Sequence, residues 1–204
     1  MKKLNTLIMG MLLMGANPVL AQQDTQAQQV LDKTIDTFRQ AEGVSLTFGG
    51  SQEGTLKMQG TAFYLDCGGI KSWFDGKTQW SYVEENEEVT VSTPTPEELQ
   101  GVNPYTVITS YRRHYHYRYQ GTQTQGGKTY YRIQLTPLTG NNDISSVQLR
   151  ISSDYRPESI TVHLSNGKSQ QFIVRSYKTA KGMDASTFRF DTRKYPNAEI
   201  IDMR

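Results

Sequence analysis

The sequence predicts a mainly β protein, with ten or eleven short antiparallel strands accompanied by one long helix and two short ones. Apolar residues recur at helical spacing over residues 25–41. From Val44 onward they alternate with polar residues, and turn signals recur about every 8–12 residues. Twelve tyrosines and two tryptophans also favour strands. This pattern is typical of a barrel or a sandwich.

The first element is a secretory signal peptide, predicted over residues 1–21. Two lysines precede an apolar stretch over residues 4–20, and residues 19–21 (VLA) end just before Gln22. Polar residues and a proline interrupt the apolar stretch, which disfavours the alternative of a transmembrane anchor. We therefore expect residues 22–204 to form one exported domain. Its first residue is not a cysteine, so we expect no lipid anchor on the protein itself.

The charge of the exported domain argues against a nucleic-acid binder. The chain has 22 Lys and Arg against 20 Asp and Glu, and Lys2 and Lys3 belong to the signal peptide. Removal of that peptide leaves 20 basic and 20 acidic side chains, whereas nucleic-acid binding needs a basic surface. The single cysteine, Cys67, excludes an intramolecular disulfide and a multi-cysteine zinc site. We expect it to be a small buried thiol, with a regulatory or dimer-forming thiol as the alternative.

The long helix is predicted over residues 25–41. Thr25 or Asp24 can cap its start, and Gly43 ends it. Its apolar stripe consists of Val30, Leu31, Ile35 and Phe38.

The strands follow from residue 44 to the end of the chain. Asp75-Gly76 and Asn166-Gly167 predict two hairpin turns. Phe188 and Phe190 are predicted to lie on a late strand. The other alternating residues are Val44, Leu46, Phe48; Leu56, Met58, Ala62, Tyr64; Ile70, Ser72, Phe74; Thr78, Trp80, Tyr82; Val89, Val91; Tyr115, Tyr117, Tyr119; Tyr131, Ile133, Leu135; Val147, Leu149, Ile151; Ile160, Val162, Leu164; Phe172, Val174; and Ile200, Ile201.

Two short helices interrupt the strands. Residues 95–99 (TPEEL) combine a capping threonine, a proline and an acidic first turn, and Asn103-Pro104 opens a second short helix. A curved sheet with an apolar inner face needs such helices to cover it. The helices can pack tightly, or they can leave a cavity for a hydrophobic ligand, and the periodicity leaves both alternatives open.

The histidines suggest no catalytic or metal site. His114 and His116 would share one face of a strand, but a metal needs a third ligand, and His163 is the only other histidine. Neighbouring arginines would repel a cation. We interpret this segment as a polar outer face with tyrosines pointing inward. The enzymatic alternative is a periplasmic hydrolase that uses the His114 and His116 face. We predict no catalytic residue, metal ligand or cofactor.

Four segments and the C terminus carry a family resemblance. They are residues 75–82 (DGKTQWSY), 88–91 (EVTV), 101–108 (GVNPYTVI), 188–191 (FRFD) and 195–202 (YPNAEIID). In this order and spacing they resemble the periplasmic outer-membrane lipoprotein carrier family, LolA. The resemblance extends over nearly all of the chain after residue 21.

The resemblance implies a curved antiparallel half-open β-barrel of about eleven strands, lidded by one long and two short α-helices. It implies a non-enzymatic periplasmic carrier that binds the acyl chains of lipoproteins and ferries them from the inner to the outer membrane. The implied partners are acylated lipoproteins, an inner-membrane ATP-driven release complex and an outer-membrane acceptor. The alternative is a lipid- or lipoprotein-sensing envelope module of the same fold. We expect a monomer.

The site hypothesis combines the resemblance with the alternation. The lid that covers the empty cavity would consist of Leu99, Tyr105, Val107 and Ile108. In the family, an Arg-Pro step before the hairpin ties the lid closed, and residues 63–69 (FYLDCGG) lack it. The predicted lipid-binding cavity is lined by Leu56, Met58, Trp73, Trp80, Tyr82, Val89 and Val91.

Overall fold

The computed structural model describes residues 24–95, 98–99, 104–139 and 143–204, with the backbone alone at residues 104–106. The predicted signal peptide lies outside the described residues, as do residues 96 and 97 of the first predicted short helix. The helices are α1 (Thr25–Gln40), α2 (Pro104–Thr109) and α3 (Tyr111–His114). The strands are β1 (Gly43–Gly50), β2 (Gly54–Gln59), β3 (Ala62–Cys67), β4 (Ile70–Phe74), β5 (Gln79–Val83), β6 (Glu88–Ser92), β7 (Tyr115–Gln125), β8 (Lys128–Pro137), β9 (Ile144–Ser152), β10 (Pro157–Leu164), β11 (Ser169–Ala180) and β12 (Glu199–Asp202).

All twelve strands belong to one open sheet. The strand order is β12-β6-β5-β4-β3-β2-β1-β11-β10-β9-β8-β7. The fold is therefore mainly β, as predicted, and the described residues contain the long helix, one of the two predicted short helices and an additional one, α3. The described residues form twelve strands rather than the predicted number of about eleven. Strand β12 pairs with β6 in parallel, whereas only antiparallel pairs were expected. Both hairpins predicted at Asp75-Gly76 and Asn166-Gly167 are confirmed.

The long helix lies against the sheet through its predicted stripe. Asp24 caps α1 by accepting hydrogen bonds from the backbone N–H groups of Gln26 and Ala27, at 3.0 and 3.1 Å. The other carboxylate oxygen of Asp24 accepts from the backbone N–H of Tyr119 on β7, at 2.8 Å. The buried side chains of α1 are Ala27, Val30, Leu31, Thr34, Ile35 and Phe38.

The predicted strand through Phe188 and Phe190 is wrong. Phe188 ends a 3-10 turn (Ala185–Phe188), and Phe190 lies before a second turn (Thr192–Lys194). Each turn begins at an aspartate, Asp184 or Asp191, whose carboxylate accepts a backbone N–H within the turn. These local hydrogen bonds compete with extended structure.

The segment between β11 and β12 then crosses the sheet and brings β12 alongside β6 in the same direction. Glu199 donates its backbone N–H to the Glu87 carbonyl, and Met203 donates to that of Val91. The direction of β12 is set by this crossing and not by a local turn, and for this reason the apolar pair Ile200 and Ile201 did not reveal it.

The short helix predicted from Asn103-Pro104 is confirmed as α2. The placement of His114 on a strand is wrong, because His114 ends the additional helix α3. The first residues of β7 then alternate as predicted: Tyr115 and Tyr117 are buried, and His116 between them is exposed.

Candidate binding cavity

An apolar cavity of about 50 Å³ lies between the end of α1, helix α2 and the sheet. Its lining has no charged side chain. A volume of this size holds only a few water-sized groups. The lining residues are Phe38, Leu46, Phe48, Leu56, Met58, Ile108, Pro157, Ile160, Phe172 and Val174.

The pairing register of the strands places the lining residues of the cavity opposite each other. Leu46 is paired with Leu56, and Val44 with Met58. Ile160 is paired with Phe172 across β10 and β11. Residues directly opposite each other in an antiparallel pair share a face, so these side chains all point toward α1.

Gly54 is required where β2 meets the ring of Phe48. A Cβ at Gly54 would overlap the Phe48 ring and the Asp66 carbonyl oxygen. The absence of a side chain there lets the Phe48 ring lie close against β2 and form one wall of the cavity.

The structure divides the predicted cavity residues between the two faces of the sheet. Leu56 and Met58 line the cavity. Met58 is paired with Phe63, and Phe63 with Phe74, so Trp73, one residue earlier, points to the opposite face. Trp80 is paired with Trp73 and with Val91, and Tyr82 with Val89. The five residues on the face away from α1 are therefore Trp73, Trp80, Tyr82, Val89 and Val91.

The C-terminal segment covers that opposite face. Phe190 and Tyr195 stack with 5.1 Å between ring centroids. The Trp73 ring meets both edge-on, at 5.4 and 5.8 Å. Together with Tyr82, these side chains form an aromatic cluster in which Trp73 and Tyr82 are buried.

The predicted lid residues occupy different positions. Ile108 is 2% exposed and lines the cavity. Val107 packs on the core that α1 forms with β7–β9, and Leu99 packs on the core around Phe38. The side chain of Tyr105 lies outside the described part of the structure.

Seven cavity-lining residues were not predicted as such. Phe38, Leu46 and Phe48 stood out in the sequence as parts of the α1 stripe and of the β1 alternation, and Ile160, Phe172 and Val174 as parts of later strands. Pro157 carried no signal. The alternation identified inward positions, but it did not show which strands become neighbours across the sheet.

A charged network ties α3 to α1 close to the cavity. Arg112 Nη2 lies 2.5 Å from Asp32 Oδ2, and the Tyr111 hydroxyl donates to Asp32 Oδ1 at 2.7 Å. Arg112 Nε in turn donates to the Tyr111 oxygen at 3.0 Å. Burial raises the pKa of Tyr111, so its hydroxyl stays protonated and remains a donor.

The histidines and Cys67 lie outside the cavity. His163 Nδ1 is 2.8 Å from the Ser169 hydroxyl. Cys67 is half-buried rather than buried, and its Sγ lies 3.1 Å from Gln52 Oε1. Burial and the Asp66 carboxylate raise the pKa of the Cys67 thiol. Among the described residues, no three His, Cys, Asp or Glu side chains are grouped so that they could hold a metal ion.

None of the helices in the described ranges has the length and apolar character needed to cross a membrane.

Comparison with known sequences gives one family. A family model described as "Outer membrane lipoprotein carrier protein LolA" matches residues 18–168. No curated protein matches the chain.

Comparison with solved structures supports the fold. An uncharacterized conserved protein from Thermus thermophilus is similar with a TM-score of 0.60 and 14% identity, over 87% of this chain and 99% of that chain. The lipoprotein LppX of Mycobacterium tuberculosis has a TM-score of 0.47 and 12% identity, over 79% and 100%. A LolA superfamily protein from Nitrosomonas europaea has a TM-score of 0.41 and 12% identity, over 80% and 97%. At 14% identity the likeness to the Thermus thermophilus protein bears on the fold alone, and the two structures with TM-scores below 0.5 carry no argument.

Proposed function

The chain belongs to the family of the outer membrane lipoprotein carrier protein LolA, and from this premise we propose that it binds the acyl chains of lipoproteins in its apolar cavity. The observation that carries the proposal is the cavity lining, ten apolar residues that converge from α1, α2 and four strands. As a carrier, the protein would receive lipoproteins from an inner-membrane ATP-driven release complex and deliver them to an outer-membrane acceptor. Export through residues 1–21 would place it in the periplasm.

Burial of the acyl chain supplies the driving force. Each buried CH₂ contributes about 0.8 kcal/mol, so a sixteen-carbon chain offers about 10 kcal/mol before ordering costs. The cavity of about 50 Å³ is far smaller than the ~300–1,000 Å³ of typical ligand pockets. The present conformation is therefore the closed form in this proposal.

Cargo enters when α2 moves. Among the described side chains of α2, Ile108 lines the cavity. The curved sheet then acts as a half-open barrel from which α2 and α3 swing away. Because the cargo must displace these contacts, the closed form lowers the net affinity and allows release. The network of Asp32, Tyr111 and Arg112 takes the place of the family's Arg-Pro latch.

The binding test uses two neighbours on β2 that point to opposite faces. Met58→Glu places a carboxylate in the cavity and should weaken displacement of a fluorescent fatty acid by about tenfold or more, since an unpaired buried charge is costly. Lys57→Glu is the matched control and should bind as the unmodified protein does. Circular dichroism verifies folding of both variants. Absence of acyl binding by the unmodified protein at micromolar concentration would contradict the proposal.

A transfer assay separates carrying from sensing. Acylated lipoprotein is released from inner-membrane vesicles in the presence of the protein, and its arrival in outer-membrane vesicles is measured. A carrier supports transfer in proportion to its concentration. Binding without transfer would favour the lipid- or lipoprotein-sensing module.

A further inference from the structure

A polar notch opens through the sheet beside the apolar cavity. Strand β10 pairs with β11 only between Ser159 and His163. From Val174 onward, β11 has β1 on one side and, in the described part of the chain, no strand on the other. The resulting notch has a volume of about 620 Å³ and is bounded by residues 127–129, 152–154, 156–158 and 174–177.

The notch and the cavity are adjacent. Pro157 and Val174 line both of them. Tyr177, which lines the notch, meets the cavity residue Phe38 edge-on, with 5.9 Å between ring centroids. A molecule with its apolar part in the cavity can therefore extend its polar end into the notch.

The notch is lined by charged side chains of both signs, three basic and two acidic. Arg156 lies over the Tyr177 ring at 5.1 Å and is paired with Asp154, with 3.2 Å between Nε and Oδ2. Arg175 lines the notch, and among the described residues no ion pair with an acidic side chain involves it. Its guanidinium group offers several N–H donors in a planar fork that fits a carboxylate or a phosphate.

Gly49 makes room for this guanidinium group. A Cβ at Gly49 would lie 3.0 Å from Arg175 Nε, so a side chain there would push the group aside. Arg175 itself is the extra residue at the register shift between β1 and β11, where Thr47 is paired with Ser176 and Phe48 with Val174. Such a bulge redirects a side chain away from the regular alternation.

The notch residue Tyr177 also carries a buried donor. The Tyr177 hydroxyl is buried, and among the described residues it has no hydrogen-bond partner. A buried polar group of this kind costs free energy unless something pairs with it. Burial raises the pKa of Tyr177, so the hydroxyl is neutral and can donate.

We propose that the notch binds the anionic headgroup of a lipid whose acyl chain occupies the apolar cavity, with Arg175 as the main contact and Tyr177 as a second donor. This inference rests on the acyl-chain binding of the proposed function and extends the ligand class from lipoproteins to anionic amphiphiles. The shared chemistry is a carboxylate or phosphate attached to an acyl chain.

The experiment compares ligands that share a sixteen-carbon chain. Palmitate, palmitoyl lysophosphatidate and hexadecanol are each tested for displacement of the uncharged fluorophore Nile red at pH 8. Acetate and inorganic phosphate are the controls that carry a headgroup without a chain. We expect Arg175→Gln to weaken both anionic ligands about tenfold, because charge-assisted hydrogen bonds are lost. Hexadecanol should change less than about twofold, since its hydroxyl carries no charge. Acetate and phosphate should not displace the fluorophore.

Three further variants keep the result interpretable. Arg175→Lys retains the charge without the fork and should recover part of the affinity. Gly49→Val displaces the guanidinium group without removing it and should weaken the anionic ligands selectively. Arg193→Gln removes an exposed arginine of the C-terminal segment and should change nothing.

The outcomes separate this inference from the proposed function. If Arg175→Gln affects palmitate and hexadecanol equally, or affects neither, the headgroup site is refuted while acyl binding stands. If no sixteen-carbon ligand binds the unmodified protein, acyl binding fails and the headgroup site fails with it. With the site supported, the ratio of palmitate to lysophosphatidate affinity shows which anionic group the notch prefers.

Discussion

At the scale of single residues, the carboxylate of Asp32 holds α3 to α1. It accepts from Tyr111 and pairs with Arg112, while α3 follows α2 after one residue, Ser110. The side chains of Arg112 and Asp32 are 55% and 37% exposed, so water screens their attraction. Such a pair contributes about 1 kcal/mol or less. A contact this weak between α1 and α3 can be broken when cargo binds.

The first prediction concerns this closure. Asp32→Asn removes the charge, and we expect the free energy of unfolding in urea to fall by about 0.5–1 kcal/mol. Acyl ligands should enter several-fold faster, because the closed form is less favoured. Stopped-flow fluorescence measures the entry rate.

The control is Asp36→Asn on the solvent side of α1, where the carboxylate makes only a long contact of 3.8 Å with Arg39. It should change neither quantity. A loss of stability in Asp32→Asn with an unchanged entry rate would show that the network does not control access to the cavity.

At the scale of elements, Asp24 joins the first turn of α1 to β7. Burial raises the pKa of its carboxyl, but hydrogen bonds from the backbone N–H groups of Tyr119, Ala27 and Gln26 outweigh burial and lower it below 3.8. A pKa that is lower in the folded protein favours folding above the ordinary value of 3.8. That contribution is lost as the pH falls through the lowered pKa.

The second prediction follows from this linkage. Asp24→Ala should reduce the free energy of unfolding at pH 7 by about 1–2 kcal/mol, because the helix loses its cap. The difference from the unmodified protein should shrink as the pH falls below about 4. Urea unfolding from about pH 2.5 to neutral pH measures this difference in the free energy of unfolding on both sides of the carboxyl pKa.

Asp24→Asn serves as the control for charge, since asparagine also caps helices. It should retain most of the stability and lose much of the pH dependence. An equal pH dependence in all three proteins would mean that the Asp24 carboxylate is not responsible for it.

The third prediction concerns the aromatic cluster under the C-terminal segment. Trp73 is buried against Phe190 and Tyr195, so Trp73→Ala should reduce the free energy of unfolding by about 3–5 kcal/mol. Acyl affinity should be unchanged, since Trp73 points away from the cavity. Urea unfolding and fatty-acid displacement measure the two effects. Loss of acyl affinity in a folded Trp73→Ala variant would mean that this face of the sheet belongs to the acyl-binding site.

At the scale of the whole molecule, one open sheet carries two differently covered faces. Helices α1, α2 and α3 cover one face, and the segment between β11 and β12 covers part of the other. Of these two covers, the helical one encloses the apolar cavity. The strands around the cavity are hydrogen-bonded to neighbouring strands, whereas α2 is a helix of six residues, so we expect α2 to be the element that moves.

The fourth prediction tests this motion by hydrogen exchange with mass spectrometry. On addition of palmitate, the backbone amides of α2 should exchange faster, because cargo displaces Ile108. Those of β1 and β2 should exchange more slowly, because cargo packs against them. Increased protection of α2 would instead mean that this helix stays in place and that the sheet opens.

Local pattern sufficed for most of the elements. The α1 stripe, its Asp24 cap, the two hairpin turns and the alternation through β1–β11 all depend on neighbours in the chain. Their side chains repeat at the period of a helix or a strand. The errors arose at the 3-10 turns around Phe188, where local aspartate hydrogen bonds replace a strand, at α3, and at β12, whose direction is set by a crossing of the chain.

The cavity was predicted only in part for a related reason. Alternation shows that Met58 and Lys57 point to opposite sides, and likewise Trp73 and Phe74. It does not show which side faces α1, because two faces covered by apolar side chains look alike in sequence. Leu56 and Met58 line the apolar cavity, whereas the predicted residues of β4–β6 lie on the other face.

The sequence by itself determined a mainly β chain with a capped amphipathic helix, neutral once its predicted signal peptide is removed, and a family resemblance carried by short segments in order. The tertiary structure alone decided which face of the sheet encloses a cavity, and where α3 contacts α1. It also decided that Arg175 and Tyr177 line a notch beside that cavity. These properties depend on strand lengths, bulges and crossings between residues far apart in the chain, and local periodicity carries no information about such contacts.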